Sequence, residues 1–168
     1  MAELVNKIAQ SGLITIDLGK FYHPGERVTY DIKQNLFHEL MLKEKDFRAF
    51  VKENDWSVYK GMNVAVHCSN DAIIAKWAYM LLIAAISPFA NRVVYGDLET
   101  LEAVLYLDAF AEEDLNEFKD QRVILKGCGD LPVPVSAYAE MTRQLMPIVQ
   151  SIMYGEPCST VPVYKRPK

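Results

Sequence analysis

Met62-Asn63-Val64-Ala65-Val66-His67-Cys68-Ser69-Asn70-Asp71 is the stretch on which the fold turns. Met62–Cys68 is a short, β-branched run with the composition of a strand, and Ser69-Asn70-Asp71 is a helix-start signal. Ile73, Ile74, Trp77, Met80, Leu81 and Ala84 then recur at helical spacing until Pro88 stops the pattern.

The same alternation returns downstream. Arg92-Val93-Val94-Tyr95 reads as the next strand, ending at Gly96-Asp97, and Asp97 is a good N-cap for a helix carrying Leu98, Leu101, Val104, Leu105 and Leu107. Ala111–Phe118 reads as a further short helical turn. Arg122–Lys126 is a third strand, ending at Gly127-Cys128-Gly129-Asp130. Ser136 is placed to cap a last helix with Tyr138, Met141, Leu145, Ile148 and Ile152 on its apolar stripe, and Pro147 should kink or split it. Strands starting near residues 63, 92 and 122 fit βαβ units of about 30 residues, hence a mainly parallel sheet.

Upstream, Leu13–Asp17 and Arg27–Ile32 alternate like strands around a turn at Tyr22–Glu26, which predicts an antiparallel hairpin added to the sheet. Asp46–Asn54 reads as a helix with Phe47, Phe50 and Val51 inward, while Leu36–Leu42 fits strand or helix equally. No internal repeat, low-complexity stretch or polar linker stands out. The expectation is one α/β domain over residues 1–168: a mainly parallel sheet, helices on both faces and an N-terminal antiparallel hairpin. From about residue 153 to 168, prolines mixed with apolar residues predict an extended strap, lying on the body or packing on a second subunit in a homodimer.

The chain has 168 residues, half of them apolar, and a net charge of −4, which argues against a general nucleic-acid surface. The one clear basic run, Lys165-Arg166-Pro167-Lys168, reads as a solvated tail. Ala72–Pro88 is interrupted by Lys76 and falls short of the roughly 20 residues of a membrane span. The N-terminal residues lack the pattern of a secretory signal. Three cysteines, an odd number, then fit reduced thiols in a cytoplasmic protein.

Cys68 and Cys128 fall at strand ends, where open α/β sheets bind ligands, and Cys158 lies in the strap. Thiolates are soft ligands, so Cys68, Cys128 and Cys158 together would form a metal site, with zinc the metal expected. A fourth ligand would come from His67, Asp71, Asp97 or Asp130, and His67 is the weakest on geometry because strand neighbours face opposite ways. Separate buried thiols are the commoner arrangement, and no C-x-x-C pair is present. Cys68 at a helix start, beside His67, also outlines a thiolate nucleophile. The glycines near 96 and 127–129 invite an anion, but Pro132 breaks the dinucleotide fingerprint and no phosphate loop occurs, so tight turns are the better reading. Three functional readings follow: a thiolate zinc protein, a non-enzymatic interaction or scaffold domain using the strap, and a cysteine-dependent enzyme. No pattern names a small-molecule substrate or a reaction.

Gly12–Leu18, Leu42–Arg48, Gly96–Leu101 and Tyr154–Pro162 resemble the corresponding stretches of a bacterial family known as domain of unknown function 2480. The resemblance spans nearly the whole chain. It implies a small, cytoplasmic bacterial protein of one domain and carries no catalytic residue across.

Overall fold

Val64, Ala65 and Val66 are completely buried, and an unbroken apolar run of this kind forms a strand covered on both faces. That strand, β3 (Asn63–His67), is central to a parallel sheet with β2 (Arg27–Asp31) and β4 (Arg92–Tyr95), in the order β2-β3-β4. The computed structural model describes residues 12–127 and 129–168. Helices α1 (Glu44–Glu53) and α2 (Lys76–Ile86) connect the three strands. Phe47 and Val51 of α1 and Ala78, Leu82 and Ile86 of α2 pack with Tyr30, Val64, Val66 and Val93 on one face. Ala65 and Val94 on the other face meet Leu101 and Leu105 of α3 (Leu98–Ala111). Each fully buried Leu or Ile of this kind contributes about 1.5–3 kcal/mol.

The described residues sort into two compact units. His23–Leu105 forms the inserted unit just described, and the residues up to Tyr22 with Tyr106–Lys168 form the split unit. The split unit has its own sheet, β1-β5-β6-β7, built from β1 (Leu13–Asp17), β5 (Arg122–Lys126), β6 (Ser151–Glu156) and β7 (Ser159–Lys165). β1, β5 and β6 are parallel, and β7 returns antiparallel to β6. Its core joins Tyr106 and Phe110 of α3 to Ile16, Leu18, Val123, Leu125 and Ile152, and to Ala137, Met141 and Leu145 of α4 (Val135–Leu145).

The α/β class and the mainly parallel pairing hold, but the strands are divided between two sheets. The expected N-terminal hairpin is absent: β1 pairs parallel with β5, and β2 parallel with β3. The antiparallel pair is C-terminal, and the extended strap is β6–β7 itself, turning at Pro157-Cys158. Leu36–Leu42 is neither strand nor helix; it loops back on itself through a single Phe37–Met41 bridge, with His38 and Glu39 at positive φ. α2 starts at Lys76 and not at Ser69, because the would-be capping groups are used elsewhere. The Ser69 N–H and hydroxyl donate to Asp31 (3.1 and 2.5 Å), and Asn70 Nδ2 donates to the Glu39 carbonyl (3.2 Å). Ile73, expected on the apolar stripe, is 97% exposed. α4 begins after Pro134 without a Ser136 cap, and Pro147 ends the helical pattern instead of kinking it, so Ile152 lies on β6.

The two units are also copies of one plan, which overturns the expectation of no repeat. Asp55 and Asp114, Lys60 and Lys119, Val64 and Val123, Tyr79 and Tyr138, Pro88 and Pro147, Tyr95 and Tyr154, and Gly96 and Gly155 are all 59 positions apart. The same offset takes buried Phe47, Val51, Leu82 and Ile86 to buried Tyr106, Phe110, Met141 and Leu145. It takes Gly61 (φ 73°) to Asp120 (φ 60°). Backbone bonds repeat as well: Gly61 N–H to Phe89 O (3.1 Å) corresponds to Asp120 N–H to Ile148 O (3.0 Å). β1 and β2 complete the pattern. Each ends in an aspartate, Asp17 or Asp31, that caps the following 3-10 turn.

Candidate functional site

In the inserted unit, the carboxyl ends of β2, β3 and β4 gather Asp31, His67, Cys68, Tyr95 and Asp97, with Tyr79 reaching in from α2. Asp31 joins two strand ends: Oδ1 accepts from the Lys33 and Ser69 N–H groups (3.0 and 3.1 Å), and Oδ2 from the Ser69 hydroxyl (2.5 Å). Partial burial pushes the Asp31 carboxyl up, but these bonds and the nearby His67 outweigh it, leaving its pKa below the ordinary value. His67 is the register partner of Asp31, whereas Cys68 packs with the core on the α2 face. The two neighbours therefore part to opposite faces, as strand geometry requires. The Cys68 thiol donates to the Asn70 carbonyl (3.4 Å). Tyr79 packs edge-on against Tyr95 (4.8 Å between ring centroids). Burial raises the Tyr79 hydroxyl pKa, reinforced by the charges of Cys68, Tyr95 and Asp31.

Asp31, Cys68 and Asp97 are committed to the turns that follow the strands. Asp97 caps α3 by accepting from the Thr100 N–H and hydroxyl (both 2.8 Å), and the same two bonds hold its pKa down. Asp71 is exposed on the loop before α2, and Asp130 is exposed in a turn. Cys158 is exposed in the β6–β7 turn of the split unit, whereas Cys68, His67, Asp71 and Asp97 belong to the inserted unit. Cys128 lies outside the described residues. Among the described residues no three His, Cys, Asp or Glu side chains come together as a metal ion requires. The thiolate reading assumed that all the strand ends belong to one sheet edge, and two sheets remove that premise. The helix dipole proposed to activate Cys68 is also absent from that position, since α2 starts at Lys76.

An apolar groove in the split unit was not anticipated. Leu125, Val135, Tyr138, Thr142, Tyr154 and Val163 are among the residues lining a groove of about 350 Å³ between α4 and the β6–β7 hairpin. Tyr138 and Tyr154 pack edge-on (5.7 Å), the counterpart of Tyr79 and Tyr95. Cys68 has Gly127 as its counterpart, and Gly127 lies so close under Tyr138 that a Cβ there would sit 2.2 Å from the Tyr138 hydroxyl oxygen. The paired A-Y…Y-G motifs at 78–96 and 137–155 carried the signal for this site.

No described helix is long and apolar enough to cross a membrane. No curated protein and no solved structure matches the chain. A family model described as a protein of unknown function (DUF2480) matches residues 2–166, and the chain belongs to that family.

Proposed function

We propose that this chain is a non-enzymatic interaction domain that docks a protein partner on the groove of the split unit. One observation carries the reading: the lining is apolar yet wide open, with Val135 83%, Val163 53% and Tyr154 49% exposed. A small molecule seated there would stay half wet, whereas a protein surface would cover groove and rim together, seating an apolar anchor in the depression. Exposed Val161 extends the same apolar surface along β7, and the Lys126–Glu156 ion pair (3.5 Å) supplies a polar rim. The strand-end groups of the inserted unit support an enzyme less well, because their hydrogen bonds close turns. A thiolate zinc centre draws no support from the described ligands.

The test is a benzoylphenylalanine cross-linker at Val135 in cells of the source organism. A discrete protein adduct is expected, together with its loss when Ala139→Trp fills the groove. The purified partner should then bind the wild type by calorimetry and lose at least tenfold in affinity for Ala139→Trp. No adduct, or an adduct indifferent to Ala139→Trp, overturns the proposal.

A further inference from the structure

The two units differ at one sheet edge. In the split unit β7 covers the outer side of β6, with Ile152 opposite Tyr164 and Tyr154 opposite Val161. The equivalent strand, β4, has β3 on one side and, among the described residues, no strand on the other. The Gly96 N–H donates to Val66 O (2.9 Å), toward β3, so alternation along the strand turns the N–H and C=O groups of Val93 and Tyr95 outward. Their counterparts, Ile152 and Tyr154, are among the residues that β7 pairs.

On this strand Tyr95 is 61% exposed, and on α2 Met80 is 69% exposed. Their counterparts Ala139 and Tyr154 line the groove to which β7 contributes Val163. The strand edge that the split unit pairs with its own β7 thus has no such partner strand among the described residues of the inserted unit. β7, an outer strand itself, carries Pro162 and a register shift near Ile152/Met153, two features that blunt an edge. Arg92-Val93-Val94-Tyr95 carries neither.

We infer that β4 pairs antiparallel with β4 of a second copy of this chain, joining two three-stranded sheets into one of six across a two-fold axis. A two-fold axis makes the pairing antiparallel, as at β6–β7. The strand begins at basic Arg92 and ends beside acidic Asp97, so antiparallel self-pairing brings each charge toward its opposite. Val93 of one copy then lies opposite Tyr95 of the other, and Met80 and Tyr95 of both copies are buried together. This surface lies in the inserted unit and is independent of the groove proposed for a protein partner.

Sedimentation equilibrium of the full chain tests the inference. The wild type should have twice the mass of one chain. Met80→Glu, at an exposed helical position, and Tyr95→Pro, which removes an outward N–H together with the ring that packs on Tyr79, should each weaken association at least a hundredfold with far-UV circular dichroism unchanged. Ala139→Trp should leave the dimer intact. A monomeric wild type at about 0.1 mM, a concentration that populates any dimer tighter than that, overturns the proposal. So does a dimer that survives both β4-edge variants or dissociates with Ala139→Trp.

Discussion

Asp31 illustrates how one carboxylate shapes this protein: it caps a 3-10 turn and ties β2 to the residues after β3. Asp31→Ala should cost about 1 kcal/mol at pH 7, the usual worth of a capping residue. Its folded pKa lies below the ordinary value, so the contribution is present above the unfolded pKa of about 4 and fades as pH falls through the folded value. Urea midpoints of wild type and variant should therefore differ equally at pH 5 and 7 and converge in stronger acid; a gap that persists there would contradict the assignment. Gly127 makes a second prediction, because the Tyr138 hydroxyl oxygen occupies the space of a Cβ. Gly127→Ala should cost about 2 kcal/mol through overpacking. The same change in a Tyr138→Phe background should cost clearly less, a coupling that a double-mutant cycle measures directly.

Among the elements, α3 is held to the start of β2 by a bidentate pair: Arg27 Nε to Glu102 Oε2 and Arg27 Nη2 to Glu102 Oε1, both 2.8 Å. Both side chains are mostly buried, at 14% and 16% exposure, and Arg27 also donates to the carbonyls of His23 and Gly25. Burial with two charge-assisted bonds lifts this contact above a surface ion pair. Glu102→Gln, which keeps the shape and removes the charge, should destabilise by about 2 kcal/mol in urea unfolding. By contrast, Arg48–Glu44 on α1 is more than half exposed on both sides, and its loss should be barely measurable. Element identity followed from composition nearly everywhere, but element ends did not. The capping signal Ser69-Asn70-Asp71 is real chemistry that bonds to neighbouring strands and loops instead of to its own helix.

Across the whole molecule the repeat has an energetic consequence. Leu82 and Met141 occupy the same position in the two copies and are both fully inaccessible. Leu82→Ala and Met141→Ala should each cost about 2–5 kcal/mol, with similar values for the pair. A near-neutral result at either site would show that the two cores are not equivalent. Both tryptophans, Trp56 and Trp77, lie in the inserted unit, so fluorescence follows that unit while circular dichroism follows both. The repeat stayed hidden in the sequence because most paired positions keep only size and apolarity, as with Val93 and Ile152 or Ile86 and Leu145. Its first strand is also shifted: β1 and β2 lie 14 positions apart while the rest lies 59 apart, because one copy is inserted within the other.

The amino-acid sequence alone determined most of the segments that become strands and helices, that the strands run mainly parallel, and that the C-terminal residues are extended. Those outcomes depend on local steric preference and on the period of apolar side chains, both written in neighbouring residues. Tertiary structure alone decided the partition of the strands into two sheets, and with it which strand ends share an edge. Pairing is chosen by burial between segments far apart in the chain: β1 finds β5 across more than a hundred residues, and no local pattern encodes that choice. The same long-range burial divided Cys68 and Cys158 between units and shaped the apolar groove beside Tyr138 and Tyr154.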